Sequence, residues 1–230
     1  MEVVAEVAGR GHGTGTVLRT VRTEGPALAV RRATWTGTAA AGAAEPERVR
    51  GVRVHLVGTA AGPMGGDVVE VRVTVGPGAC LEMAGVAATV VLPGRLQPRA
   101  ELVLTADVAA GGLLVHSPPP LVVTGRAGLV ATTLVRLVGD GQVQLSEHVR
   151  LGRHREPGGW WQGRTDVTRD GVPLLRQTTT LGEYPDGPRD LHSVLRTGAG
   201  PVRERLDPSG DEGAVVLDLA SGGTLELTLR

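Results

Sequence analysis

The sequence holds no Phe, and no Ile, Lys or Asn, with one Cys and one Tyr in 230 residues. Each absence excludes something. Without Lys there is no P-loop amine to meet a phosphate and no side-chain amine to form a Schiff base. A single cysteine, Cys80, allows neither an internal disulfide nor a Cys-rich zinc site. All 24 basic residues are Arg, matched by 24 Asp and Glu, so formal net charge is zero. With aromatics also scarce, nucleic-acid binding is disfavoured. The four missing residue types are served by AT-rich codons, so their loss together reads as GC-rich coding bias. No amino-terminal charged head leads into an apolar run, and no apolar stretch approaches the ~20 residues that span a bilayer. The expectation is a soluble, cytoplasmic protein.

What remains is a core of Val, Leu and Ala, laid out as strands. In residues 68–75, Val69, Val71, Val73 and Val75 share one face, and Glu70, Arg72 and Thr74 the other. Leu225, Leu227 and Leu229 alternate with Thr224, Glu226 and Thr228, and Val52, Val54 and Leu56 with Arg53 and His55. This period of two is the signature of a half-buried strand. Gly76-Pro77-Gly78, Gly111-Gly112, Gly139-Asp140-Gly141, Asp170-Gly171 and Ser221-Gly222-Gly223 punctuate the runs. Glycine supplies positive φ at no steric cost, so these clusters predict tight turns between strands of a meander. Residues 83–92 and 186–198 are candidates for short helices, the second capped by Asp190. Ala39–Arg50 and Pro208–Gly213 read as loops, and Gly9–Gly15 as an early hairpin that fails the dinucleotide-loop pattern. No fixed-period repeat of solenoid type is evident. The prediction is all-β, mostly strand with one or two short helices, as a single β-rich domain over residues 1–230.

Glu147 breaks the pattern. In QVQLSEHVRL, alternation places it on one face with Val143, Leu145, Val149 and Leu151. A lone ionised carboxylate in a core costs several kcal/mol, so it needs an Arg partner, a hydrogen-bond network, water or a metal. An ion pair, an outward bulge and an internal polar channel are the alternatives. The six histidines, His12, His55, His116, His148, His154 and His192, show no standard zinc spacing. Cys80 reads as a small buried hydrophobe. No G-x-S-x-G elbow occurs. His116-Ser117-Pro118-Pro119-Pro120 cannot pair as a central strand and predicts a stiff crossover or docking edge. Trp160 and Trp161 are core filler or an interface anchor. No catalytic constellation emerges.

Taken in order, several short motifs resemble the UreD/UreH family of urease accessory proteins. They are A-G-P-M-G-G-D at 61–67, V-G-P-G-A at 75–79, V-A-A-T at 86–89, S-P-P-P-L-V-V at 117–123 and S-E-H-V-R-L-G-R at 146–153. Where that family carries Gln and Lys around A-A-T, this chain has Val86 and Val90, and Ala61 stands for the first Gly of the earlier element. The resemblance implies layered, largely antiparallel β-sheets. It implies a non-catalytic scaffold and metallochaperone, with no tightly bound cofactor and Ni²⁺ in transit. The implied partners are a helical accessory protein of UreF type, a nickel-carrying GTPase of UreG type and apo-urease. It further implies a water-filled tunnel, to which Glu147, and less strongly Asp67 and Glu82, would contribute transient metal contacts. Two other readings of the residues are a β-scaffold hydrolase or transferase with a polar site around Glu147, and a generic β interaction module.

Overall fold

The computed structural model describes residues 2–8, 15–22, 28–38, 48–198, 214–219 and 222–230. In chain order the strands are β1 (Glu2–Ala8), β2 (Gly15–Arg22), β3 (Leu28–Thr38), β4 (Arg48–Gly58), β5 (Val68–Val75), β6 (Cys80–Gly85), β7 (Thr89–Val91) and β8 (Arg99–Val108). There follow β9 (Leu113–Ser117), β10 (Leu121–Val123), β11 (Gly128–Leu137), β12 (Gln142–Leu151), β13 (Trp160–Arg169), β14 (Val172–Leu181), β15 (Asp190–Thr197), β16 (Ala214–Asp218) and β17 (Gly223–Leu229). The all-β class is borne out. Among the described residues there is no helix, and so none long and apolar enough to cross a membrane. The two stretches with helical promise are β6–β7 and β15, because Leu191, Leu195 and Thr197 bury one face at strand spacing.

The strands form two facing sheets, β14-β13-β11-β8-β5-β1-β2 and β16-β17-β15-β12-β9-β6-β4-β3, with β7 and β10 continuing the second beside β12. Antiparallel pairs lie toward the flanks of each sheet. The centres are parallel: β13, β11, β8, β5 and β1 in the first sheet, β12, β9, β6 and β4 in the second. The expected largely antiparallel order is therefore corrected. The glycine clusters explain why the pattern misled. Residues 76–79, 109–112 and 138–141 do not fold strands back on themselves. Each carries the chain from the first sheet across to the second, β5 to β6, β8 to β9 and β11 to β12.

These three corners stack as a solenoid stacks its rungs. Val75 lies beside Val108, and Val108 beside Leu137, a repeat of roughly 30 residues that the sequence reading missed. Ala109 N–H donates to the Val75 carbonyl at 2.9 Å, and Val138 N–H to that of Val108 at 3.0 Å. After the corner, Leu113 N–H reaches the Ala79 carbonyl and Gln142 N–H the Gly112 carbonyl, both at 2.8 Å. The Asp140 carboxylate accepts Gly111 N–H at 2.7 Å, tying one corner to the next. Such close stacking leaves no room for a side chain at Gly112 or Gly141. A Cβ on Gly141 would sit 2.8 Å from the Ala109 carbonyl oxygen. Asp170-Gly171 is a true hairpin turn, joining β13 to the antiparallel β14.

Val73, Val75, Leu81, Ala106, Val108, Leu114, Val135, Leu137, Val143 and Val167 fill the space between the sheets at the corner end. A second cluster, with Val91, Ala100, Val123, Leu129, Val149, Leu151, Trp161, Leu181 and Leu191, fills it at the other end. Each fully buried Val or Leu stabilises by about 1.5–3 kcal/mol. The Pro118–Pro120 run is neither an edge nor a crossover between sheets. It lies between β9 and β10, both paired to β12, and interrupts that ladder because proline has no N–H. Of the expected loop at 39–50, residues 48–50 instead open β4; residues 39–47, the expected loop at 208–213 and residues 9–14 of the expected early hairpin at 9–15 lie outside the described residues.

The stacked corners make a discriminating prediction. Gly141→Ala should cost about 2–3 kcal/mol, because its methyl meets backbone carbonyls. Gly171→Ala should cost about 1 kcal/mol, from its φ of 79° alone, since nothing lies within 4 Å of the new methyl. Urea denaturation of both variants checks this; equal losses would contradict the stacked-corner packing.

Candidate functional site

Between the two apolar clusters runs a belt of polar and small residues, contributed at one level by strand after strand. On β11, Leu129 belongs to one cluster and Val135 to the other, with Thr133 between them. On β12, Glu147 lies between Leu145 and Val149. On β13, Gly163 and Thr165 lie between Trp161 and Val167, and on β15, Ser193 lies between Leu191 and Leu195. β14 adds Gln177 and Thr179. The register produces this coincidence: Thr133 pairs with Thr165 and Thr165 with Gln177, while across the gap Glu147 pairs with Ser193.

The belt encloses a cavity of about 80 Å³. That is room enough for water. Glu147 is half-buried by accessible surface because its side chain meets this internal space. Its carboxyl is pushed up to about 7 by burial, with no charge or hydrogen bond contributing. His116 lines the same cavity, one step along the ladder beside Leu145. Burial brings its imidazole down to about 4, against a smaller opposing effect of the Met83 backbone, so it is neutral at neutral pH. It therefore supplies no positive charge to Glu147. His116 Nδ1 and Trp161 Nε1 are both buried without a hydrogen-bond partner. Three polar groups left unpaired around one cavity are what water, or a hydrated ion, satisfies.

Space for the cavity comes from residue size. Gly163 lines it and yields its side-chain position to the Trp161 ring, which a Cβ there would meet at 2.3 Å. Trp161 caps the second cluster at the edge of the belt, whereas Trp160 carries the Arg99 guanidinium 4.2 Å above its ring. The paired tryptophans thus divide into core filler and a cation–π contact.

The other two acidic residues singled out from the sequence are not brought to Glu147. Asp67 is exposed and accepts the Met64 N–H at 2.8 Å, bracing the turn before β5. Glu82 faces away from the core and accepts from Arg53 Nε at 2.8 Å. Cys80 is buried, and burial followed by the charge of Glu82 pushes its thiol up to about 12, which leaves it an inert hydrophobe. Val86 is exposed, and Val90 sits in β7 away from the cavity. His12 lies outside the described residues, and His154 is exposed. Among the described residues no group of three or more His, Cys, Asp or Glu is arranged to hold a metal ion. The sequence reading found Glu147 but missed His116, Thr133, Thr165, Gln177, Thr179 and Ser193. For all of these but His116 the signal was available: each breaks or dilutes the inward apolar row of its own strand.

A sequence model of one family, described as UreD urease accessory protein, matches residues 3–203. A protein named urease accessory protein UreD from Frankia alni is 40% identical over 218 residues, covering 81% of this chain and 72% of that protein. One of the same name from Streptomyces coelicolor is 34% identical over 236 residues, covering 96% of this chain and 87% of that protein. Urease accessory protein UreD 1 of Saccharopolyspora erythraea is 44% identical over 130 residues, a match spanning 56% of this chain and about half, 51%, of that relative.

The unpaired carboxylate carries a signed prediction. A carboxyl raised from 4.5 to about 7 in the fold makes the native state less stable once pH exceeds that range, and costs nothing below 4.5. Glu147→Gln removes the penalty while keeping the shape. It should therefore gain about 1–3 kcal/mol above pH 7, with the gain shrinking to near zero as pH falls to 4.5. Urea denaturation of both proteins across this window checks it. A variant less stable than the parent above pH 7 would mean that a cation holds the carboxylate.

Proposed function

The chain belongs to the UreD family of urease accessory proteins, and on that premise we propose that it is a scaffold and metal-passage subunit of urease maturation. Its cavity at Glu147 forms part of the route along which nickel travels to the apo-enzyme. The observation that carries this reading is the unpaired Glu147 carboxylate beside a neutral His116, in a space large enough for water, between two dry clusters. A carboxylate, an imidazole, hydroxyls and water are donors that nickel accepts. Few of them are charged, so an ion is held weakly enough to leave, as conduction requires. Metal binding displaces the carboxyl proton, and a group titrating near neutrality loses it at little cost.

In this reading the protein has no catalytic residue of its own. Its partners are a helical accessory protein of UreF type, a nickel-carrying GTPase of UreG type and apo-urease, with nickel as cargo. The two sheets hold the belt at fixed spacing, so the chain acts as a rigid conduit wall while its partners exchange nucleotide and metal.

Reconstitution with apo-urease, the two accessory partners and nickel tests this. Glu147→Gln should assemble into the complex like the parent but lower the yield of active urease several-fold. Full activation by the variant would remove Glu147 from the route. Failure of the parent chain to be captured with any of the three partners would contradict the scaffold role itself.

A further inference from the structure

One residue along from Glu147, on the opposite face of the second sheet, two imidazoles stand side by side. His148 on β12 is directly opposite His192 on β15. Both are exposed, and their ring centroids are 5.9 Å apart with planes at 77°. We propose that His148 and His192 form a surface site for a divalent transition-metal ion of the zinc and nickel type, distinct from the cavity.

The geometry suits this use. Residues directly opposite on antiparallel strands have Cβ atoms about 4.5–5.5 Å apart, so two imidazoles can converge on one point without moving the backbone. A metal bound to one nitrogen of each ring at about 2.0–2.1 Å holds the ring centres roughly 5–6 Å apart, the separation already present. Imidazole is a ligand that zinc, copper and nickel share. The charged groups on the neighbouring positions are paired with one another and leave the two imidazoles as the free donors. Glu226 on β17 lies diagonally across from His192 and is held by Arg196 at 2.8 Å. Arg150, the next outward residue on β12, is paired with Asp190 at 3.6 Å. Two protein ligands leave the remaining positions to water. Such a site exchanges its ion readily and serves for capture rather than as a permanent structural centre.

This proposal does not depend on the passage through the cavity, because Glu147 and Ser193 point to the inside at the same step where His148 and His192 point out. Titration calorimetry of the purified full chain with Zn²⁺ and with Ni²⁺ at neutral pH tests it. His148→Ala and His192→Ala should each weaken the same single site roughly tenfold or more, since each removes a ligand pre-placed by its neighbour. His154→Ala, at an exposed histidine beyond the end of β12, should leave that site unchanged. On the parent protein, addition of paramagnetic Ni²⁺ should broaden the imidazole resonances of His148 and His192 before any others, a readout independent of how the variants fold. Binding that survives both histidine substitutions, or broadening that begins at His116 instead, would overturn the assignment.

Discussion

Strand register is the constraint on which the rest of this molecule depends. Two parallel ladders are pinned at one end by glycine corners whose backbone groups bond to the corner above and below. Once those corners are in register, every strand has the same phase measured from that end. Val75, Val108 and Leu137 then fall in one row, and Thr133, Thr165 and Gln177 in another. Shifting any strand by one residue would turn its whole row to the other face. It would close the polar belt and open the apolar clusters together, so the cavity and the core are fixed by the same hydrogen bonds.

The belt runs against the general drive to fill the space between sheets. A sandwich of this kind places facing sheets about 10 Å apart and is stable when side chains interdigitate across the gap. Here the residues at mid-strand are too small or too polar to do that. Gly163 leaves the room into which the Trp161 ring leans, and Thr, Ser and Gln line the remainder. The cost is an unpaired carboxylate in a setting that raises its proton affinity. Among the described residues no arginine comes to it, although all 24 basic residues of the chain are arginine. Arg53, Arg196 and Arg150 are spent on the outer face of the same sheet. An ion pair would have made Glu147 a structural residue; its isolation is what the proposed passage of a cation requires.

Much of this was legible in the sequence, and the failures have physical causes. Alternation identified the strands, and the inward carboxylate of Glu147 was found because Val143, Leu145, Val149 and Leu151 surround it so regularly. Asp170-Gly171 was read correctly as a hairpin because its two strands pair with each other. Gly76-Pro77-Gly78 was misread because a corner that changes sheets and a turn that reverses a strand ask the same thing of the backbone, positive φ at a glycine. Which of the two forms is decided by distant strands. His116 was hidden for a similar reason. Its strand, β9, is five residues long and runs into three prolines, so local alternation did not show that His116 shares a face with Met83 and Leu145. The belt is a property of several strands at once, and no single segment displays it.

The account stands on the claim that Glu147 is enclosed and has no cationic partner. A carbon-detected NMR titration of the Glu147 side-chain carboxyl in the folded protein measures this directly. The account predicts a midpoint near 7. A midpoint at or below 4.5 would show that a positive charge or strong hydrogen bonds hold the ionised form, and would contradict it.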